Sequence, residues 1–263
     1  MIDREYEDIT KFVDQAIQHF SPGRRSGKRV LDFGCGSGGL VDRLATLGYA
    51  AEGCDIKPFW DGSSPLATRL SVISQNPYRL PFDDNYFDLV LSTSVLEHAQ
   101  NKGELFREIH RVLAPSGVAM HLYPSKWYIP TEPHIYVPLV NMMWPRCPQW
   151  WLAFWAWMGI RNEYQSEMAW REVRAANSRY CRDGLSYWSH GAYRKLSVEV
   201  FGHYADETSF FVKNGYGGAV NLLRKLHLPV AVAGIICSTL RMSFLVNIKV
   251  DDQQKPAERE QDQ

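Results

Sequence analysis

The sequence has no charge excess of either sign: 29 Lys and Arg face 29 Asp and Glu, so the formal net charge is zero with His neutral. Proteins that grip a nucleic-acid backbone carry a basic surplus or a Lys/Arg-rich run. Neither is present, which demotes nucleic acid among the expected partners without excluding it. Paired cysteines are missing too. The five cysteines, at 35, 54, 147, 181 and 237, form no C-x-x-C pair, and their spacing fits no zinc site, so no metal is expected. An odd count without a framework points to a reducing compartment. Long apolar runs are also absent: residues 150–160 and 228–240 hold 11 and 13 residues, against the roughly 20 that a spanning helix needs. The charged N-terminus, MIDREYEDITKF, has no signal-peptide core and reads as mature cytoplasmic sequence.

What is present is organised by region. The 263 residues are 45% hydrophobic and 13% aromatic, enough for one domain with a sizeable insertion. Residues 1–27 read as an amphipathic helix, with Ile9, Phe12, Val13, Ala16, Ile17 and Phe20 at helical spacing and Ser21-Pro22-Gly23 ending it. Apolar strand candidates follow at 29–33, 50–54, 70–73, 87–92 and 117–123, with helical segments at 39–47 and 102–113 between several of them. Strands alternating with helices mean βαβ units and a parallel sheet covered on both faces. From 124 to about 190 the rhythm breaks, and eight of the nine tryptophans fall there among prolines. Beyond it, 191–202 and 219–226 read as helices. Residues 208–212 and 242–250 read as strands that pair antiparallel, and the polar stretch 251–263 as a disordered tail.

The sharpest motif is Val30-Leu31-Asp32-Phe33-Gly34-Cys35-Gly36-Ser37-Gly38-Gly39, a strand that ends in an acid, turns through glycines and starts a helix. Such a turn lets a ligand lie against bare backbone at a helix N-terminus. Asp55 closes the next strand, 21 residues after Gly34, where a carboxylate accepts hydrogen bonds from a ribose diol. Asp32 would repel a pyrophosphate but attract ammonium or sulfonium charge, which favours S-adenosylmethionine (SAM) over NAD. A lone glycine loop also serves as a plain strand–helix turn. Two other functions therefore share it: a SAM-binding protein without turnover, and an NAD(P)-dependent oxidoreductase.

Asp32-Phe33-Gly34-Cys35-Gly36-Ser37-Gly38 resembles motif I of class I SAM-dependent methyltransferases. Leu80-Pro81-Phe82, with Phe87-Asp88-Leu89-Val90, then Val95-Leu96-Glu97-His98 and Leu113-Ala114-Pro115-Ser116-Gly117, resemble the later motifs of their type 11 group in the usual order. The resemblance covers about residues 28–123. It implies a Rossmann-like α/β fold, a mostly parallel seven-stranded sheet with helices on both faces, carrying here a helical aromatic insertion after strand five. It implies that Gly34, Gly36 and Gly38 lie under SAM, that Asp32 faces the methionine ammonium and Asp55 the ribose, and that Ser92 lines the methionine side. Asn76 stands where the family commonly has an Asp for the adenine amino group. Asn76-Pro77-Tyr78 precedes the fourth strand rather than following it, so it does not read as the N-P-P-Y box of amino-methylating enzymes.

Methyl transfer from a sulfonium needs alignment, exclusion of water and, for a weakly acidic acceptor, a base. Thr131-Glu132-Pro133-His134-Ile135-Tyr136-Val137-Pro138 places a Glu and a His in a proline-stiffened segment just past the fifth strand. His134 is the candidate base, Glu132 its orienting partner and His98 the second candidate. His121 falls inside a strand pattern and reads as a buried, hydrogen-bonded residue. The expected acceptor is a small molecule, lipid or glycan-linked metabolite, methylated at oxygen. The aromatic run Trp150, Trp151, Phe154, Trp155, Trp157, Met158 has three readings: a compact core, an apolar acceptor pocket, or a peripheral contact with a membrane. The oligomeric state stays open.

Overall fold

The computed structural model describes residues 2–250; the stretch 251–263 read as a tail lies outside them. The chain runs α1 (Ile2–Phe20), β1 (Arg29–Phe33), α2 (Gly39–Thr46), β2 (Ala50–Asp55), β3 (Leu70–Val72), β4 (Ser74–Gln75), β5 (Tyr78–Arg79), β6 (Phe87–Thr93), α3 (Lys102–Val112) and β7 (Leu113–Pro124). Then come α4 (Val140–Met143), α5 (Gln149–Trp157), α6 (Trp170–Asp183), α7 (His190–Phe201), β8 (Ala205–Asp206), α8 (Thr208–Asn214), α9 (Gly218–Lys225), α10 (Val230–Leu240) and β9 (Met242–Ile248). Seven strands form one sheet in the order β3-β2-β1-β6-β7-β9-β8, and β4 pairs with β5 in a separate hairpin. The pairs β2–β3, β1–β2, β1–β6 and β6–β7 are parallel, whereas β9 runs antiparallel between β7 and β8. This is the Rossmann-like methyltransferase architecture.

The central strands are apolar on both sides because both faces are covered. Val30 belongs to a core shared with Phe12, Val13, Ala16 and Ile17 of α1 and Leu40, Val41 and Leu44 of α2. Its neighbour Leu31 points the other way, into a core with Leu105, Phe106, Ile109 and Val112 of α3 and Tyr193, Leu196 and Phe201 of α7. The N-terminal helix therefore closes one face of the sheet. On the other face, α3 anchors the β4–β5 hairpin through its acids. Glu104 accepts the Tyr78 N–H at 3.2 Å, and Glu108 the Leu80 N–H at 2.9 Å.

Residues 208–212 are helical, not extended. Thr208, Phe211 and Val212 are buried at i, i+3 and i+4, a helical face. Asp206 accepts hydrogen bonds from the N–H and hydroxyl of Thr208 at 3.0 and 2.5 Å, starting the turn. The aromatic and β-branched composition of 208–212 mimics a strand, but packing decides otherwise. The strand that pairs with β9 is the short β8, Ala205 opposite Val246.

Residues 135–187 build a third apolar cluster, with Ile135, Val137, Val140, Leu152, Cys181, Leu185 and Tyr187 at its centre and Trp144, Trp151 and Trp155 packed around it. The other face of α5 is bare: Trp150, Phe154, Trp157 and Met158 are exposed. Among the described residues no helix is long and apolar enough to cross a membrane.

Candidate active site

A cavity of about 690 Å³ opens at the C-terminal ends of β1, β2 and β6, lined among others by Gly34, Asp55, Gln75, Tyr78, His98 and Tyr180. It lies where the sheet order reverses around β1, the place at which parallel α/β sheets leave a crevice. The glycine loop is tied to the second strand, since Gly34 and Cys35 both donate their N–H to the Cys54 carbonyl, at 2.7 and 3.1 Å. Gly34 has φ +79°, and a Cβ there would stand 2.3 Å from Cγ2 of Val95. Gly36, at φ +53°, faces open space, with nothing within 4 Å of a Cβ. Its N–H donates to Oδ2 of Asp55 at 2.9 Å, which tethers that carboxylate beside the loop. Gly38 caps α2 beside the side chains of Leu66 and Leu70; its left-handed φ of +82° is what calls for glycine.

Asp32 is 4% exposed and lines an adjoining crevice with Tyr6, Gly36, Thr93 and Ser94. Burial first, then the charge of Asp55, pushes its carboxyl up to about 7. Two expected cofactor residues stand elsewhere. Ser92 is buried in the sheet, its Oγ 2.8 Å from Nδ1 of His121 on the paired strand. It does not line the crevice that Thr93 and Ser94 reach. Asn76 sits exposed in the turn of the β4–β5 hairpin, and its flanking residues Gln75 and Tyr78 line the cavity in its place. Tyr6 was invisible in sequence because it reaches the crevice from α1, outside every motif. His121 is fully buried, and desolvation pushes it down to about 3.

The second cluster stands on the far wall. Glu132 is fully buried, and its Oε2 accepts the N–H of His134 and of Ile135 at 2.8 and 2.9 Å. Its Oε1 lies 2.7 Å from Nδ1 of His134 and accepts the Tyr187 hydroxyl at 3.1 Å. Burial alone would depress His134, but the hydrogen bond and charge of Glu132, with Glu97 behind them, outweigh it and raise the imidazole. Burial would raise Glu132; His134 and the backbone donors hold it below the ordinary range instead. His98 donates from Nδ1 to the Gly184 carbonyl at 2.7 Å, and burial lowers it. The rings of His98 and His134 meet edge to face with centroids 4.7 Å apart. The structure thus brings together all three residues proposed for chemistry, and adds Glu97. That carboxylate is 1% exposed, and burial pushes it up to about 7.

A second cavity, of about 540 Å³, lies beyond His134 and is lined among others by Tyr136, Tyr164, Gln165, Met168 and Asn177. Tyr180 lines both cavities, His98 the first and His134 the second, so the histidines stand where the two meet. No tryptophan lines either one. The aromatic run therefore lines neither cavity: one of its faces packs in the third cluster and the other faces outward.

Residues 31–121 match the family described as methyltransferase domain. Over that stretch the chain is similar to a methyltransferase domain. A sterol 24-C-methyltransferase of Gibberella zeae is 31% identical over 104 residues, 36% of this chain and 27% of that protein. A malonyl-[acyl-carrier protein] O-methyltransferase of Halorhodospira halophila is 30% identical over 113 residues, 41% and 38% of the two chains. The chain thus spans about a third of the length of these curated relatives. A solved complex of the Haloferax volcanii Trm112 methyltransferase activator with a methyltransferase contains a chain of the same fold. Its TM-score is 0.52 at 17% identity, over 95% of this chain and 94% of that one.

The cleft of the methyltransferase domain fits SAM on its own chemistry. The bare backbone at Gly36 leaves room for a ligand against the loop. Asp32 and Asp55 put two carboxylates at adjacent strand ends, and Asp32, desolvated beside a like charge, is relieved by a cationic ligand.

Proposed function

We propose that the protein transfers the methyl group of SAM to an oxygen of a small-molecule, lipid or glycan-linked acceptor. SAM, when bound, supplies a methyl group already activated on sulfur. Asp32, Gly34, Gly36 and Asp55 hold it, while the acceptor enters through the second cavity. The observation that carries the reading is the Glu132–His134 pair at the junction of the two cavities, 2.7 Å apart. Glu132 fixes the ring and favours its protonated form, so neutral His134 is a base able to take an acceptor proton at Nε2. A nitrogen acceptor would need no such pair. The two relatives are named for a sterol carbon and for an oxygen of a malonyl thioester carrier. One type of domain thus serves different acceptors, and residues outside it must make the choice. The free thiols support a cytoplasmic setting.

The test is incubation with methyl-labelled SAM and a cell extract, partitioned into organic, aqueous and macromolecular fractions, with Asp55→Ala as the binding control. Label should enter one fraction and vanish for Asp55→Ala and His134→Ala. Undiminished transfer by both His134→Ala and Glu132→Gln would sink the base assignment, and stabilisation by NAD but not SAM the whole reading.

A further inference from the structure

We propose that Glu97, His98 and His134 bind a divalent transition-metal ion of the zinc class where the two cavities meet. One ligand atom from each residue lies within 4.8 Å of the other two, and Nε2 of His98 is 4.0 Å from Oε1 of Glu97. An ion centred among three atoms at that spacing sits about 2.8 Å or less from each, so ordinary bonds of about 2.0–2.2 Å need side-chain shifts below about 1 Å.

The buried carboxylate is the independent sign. Both oxygens of Glu97 lack a hydrogen-bond partner among the described residues, although the side chain is 1% exposed. A buried carboxylate without donors is costly unless something charged meets it. The buried cation Lys102 is committed elsewhere: its Nζ donates to the carbonyls of Ala99 and Ser186 and to Oγ of Ser186, at 2.7, 2.6 and 2.8 Å.

The surroundings of the two imidazoles match those of ligands. Metal-bound histidines donate their other ring N–H to a carboxylate or carbonyl, which fixes the tautomer and aims the free nitrogen. Nδ1 of His98 is held by the Gly184 carbonyl and Nδ1 of His134 by Glu132, itself braced by Tyr187. Two imidazoles and one carboxylate suit zinc, cobalt or iron rather than magnesium or calcium, and leave positions open. His98 and His134 are 31% and 37% exposed, so those positions face the cavities, where a hydroxyl or carboxylate oxygen of the acceptor can bind. An ion in place takes Nε2 of His134 as a ligand, so the base role proposed above belongs to the metal-free protein, and in the loaded protein the ion would instead stabilise the anionic acceptor oxygen. The binding claim does not depend on the reaction proposed above.

The probe is cobalt(II), titrated into full-length protein first stripped with a chelator. One equivalent should bind with the visible absorption of a low-coordinate imidazole–carboxylate complex. Glu97→Gln, nearly isosteric and free of a buried charge, should keep the melting temperature and weaken cobalt at least tenfold, as should His98→Ala. Glu132→Gln, which positions His134 without touching the ion, should weaken it about 10- to 100-fold. Asp55→Ala should lose SAM and keep cobalt. Equal cobalt affinity in Glu97→Gln and the unsubstituted protein, or no stoichiometric band, overturns the site. Cobalt binding without methyl transfer leaves this site standing and overturns only the function proposed above. Methyl transfer without cobalt binding does the reverse.

Discussion

Asp32, Gly34, Gly36 and Asp55 come from two neighbouring parallel strands and the turn between a strand and a helix, within 24 residues of chain. Glu97, His98, Glu132, His134, Tyr180 and Tyr187 span 91 residues and arrive from the loop after β6, the segment after β7, α6 and the stretch that follows it. The cofactor wall is set by backbone: the β1–β2 ladder and the N–H groups of Gly34, Cys35 and Gly36. The acceptor wall is set by side chains, above all by the four contacts of Glu132. One wall should therefore fail when its main chain is strained, the other when a single carboxylate or imidazole is removed.

The largest expected effect is on the second wall. His134→Ala should cut methyl transfer by about 10²- to 10⁴-fold while leaving SAM affinity, read by calorimetry, unchanged. Glu132→Gln sharpens the point through pH. A base must be neutral, so the rate climbs as pH rises through the raised pKa of His134. Without the carboxylate that pKa falls, and the climb should move to lower pH even as the rate drops. An unmoved climb would mean that another group titrates.

Gly34→Ala attacks the first wall. Its backbone sits at φ +79° and a Cβ would meet Val95, a cost of roughly 3 kcal/mol, or about 100-fold in SAM affinity. Tight SAM binding by this variant would show that the loop is held less firmly than its hydrogen bonds imply. Comparable in energy is Leu152→Ala, which empties a fully buried position of the third cluster and should cost about 2–5 kcal/mol in denaturant unfolding. Trp150→Ser, on the exposed face of the same helix, should stay within about 0.5 kcal/mol.

Asp32 gives the most diagnostic effect. Its carboxyl rises from 3.8 to about 7 in the free protein. That neutral form stabilises the free fold at low pH, and the contribution is lost as pH rises through about 7. A cationic ligand prefers the ionised form, so SAM affinity should grow with pH up to about 7 and then level. Asp32→Asn should flatten that slope; a slope that survives would assign it to another acid.

The helix–strand alternation of residues 29–124 was legible because the central strands β1, β6 and β7 are buried over most of their length and are rich in apolar residues. The glycine loop was legible because positive φ leaves few residues to choose from. Residues 208–212 misled because Thr, Phe and Val suit a strand, while the burial of Thr208, Phe211 and Val212 follows a helix. Ser92 and Asn76 stand apart from the cleft for reasons no local motif carries: Ser92 is turned to His121 inside the sheet, and Asn76 is exposed in the hairpin turn.

By itself the sequence determined the parallel sheet, the loop at its edge and the carboxylates beside it. All of these follow from local spacing and backbone preference. Only the tertiary structure decided that His134 meets His98, that Glu97, without a hydrogen-bond partner among the described residues, stands beside them, and that the aromatic run packs or faces outward rather than lining either cavity. Those are contacts between segments far apart in the chain, and they depend on burial, which no local pattern encodes.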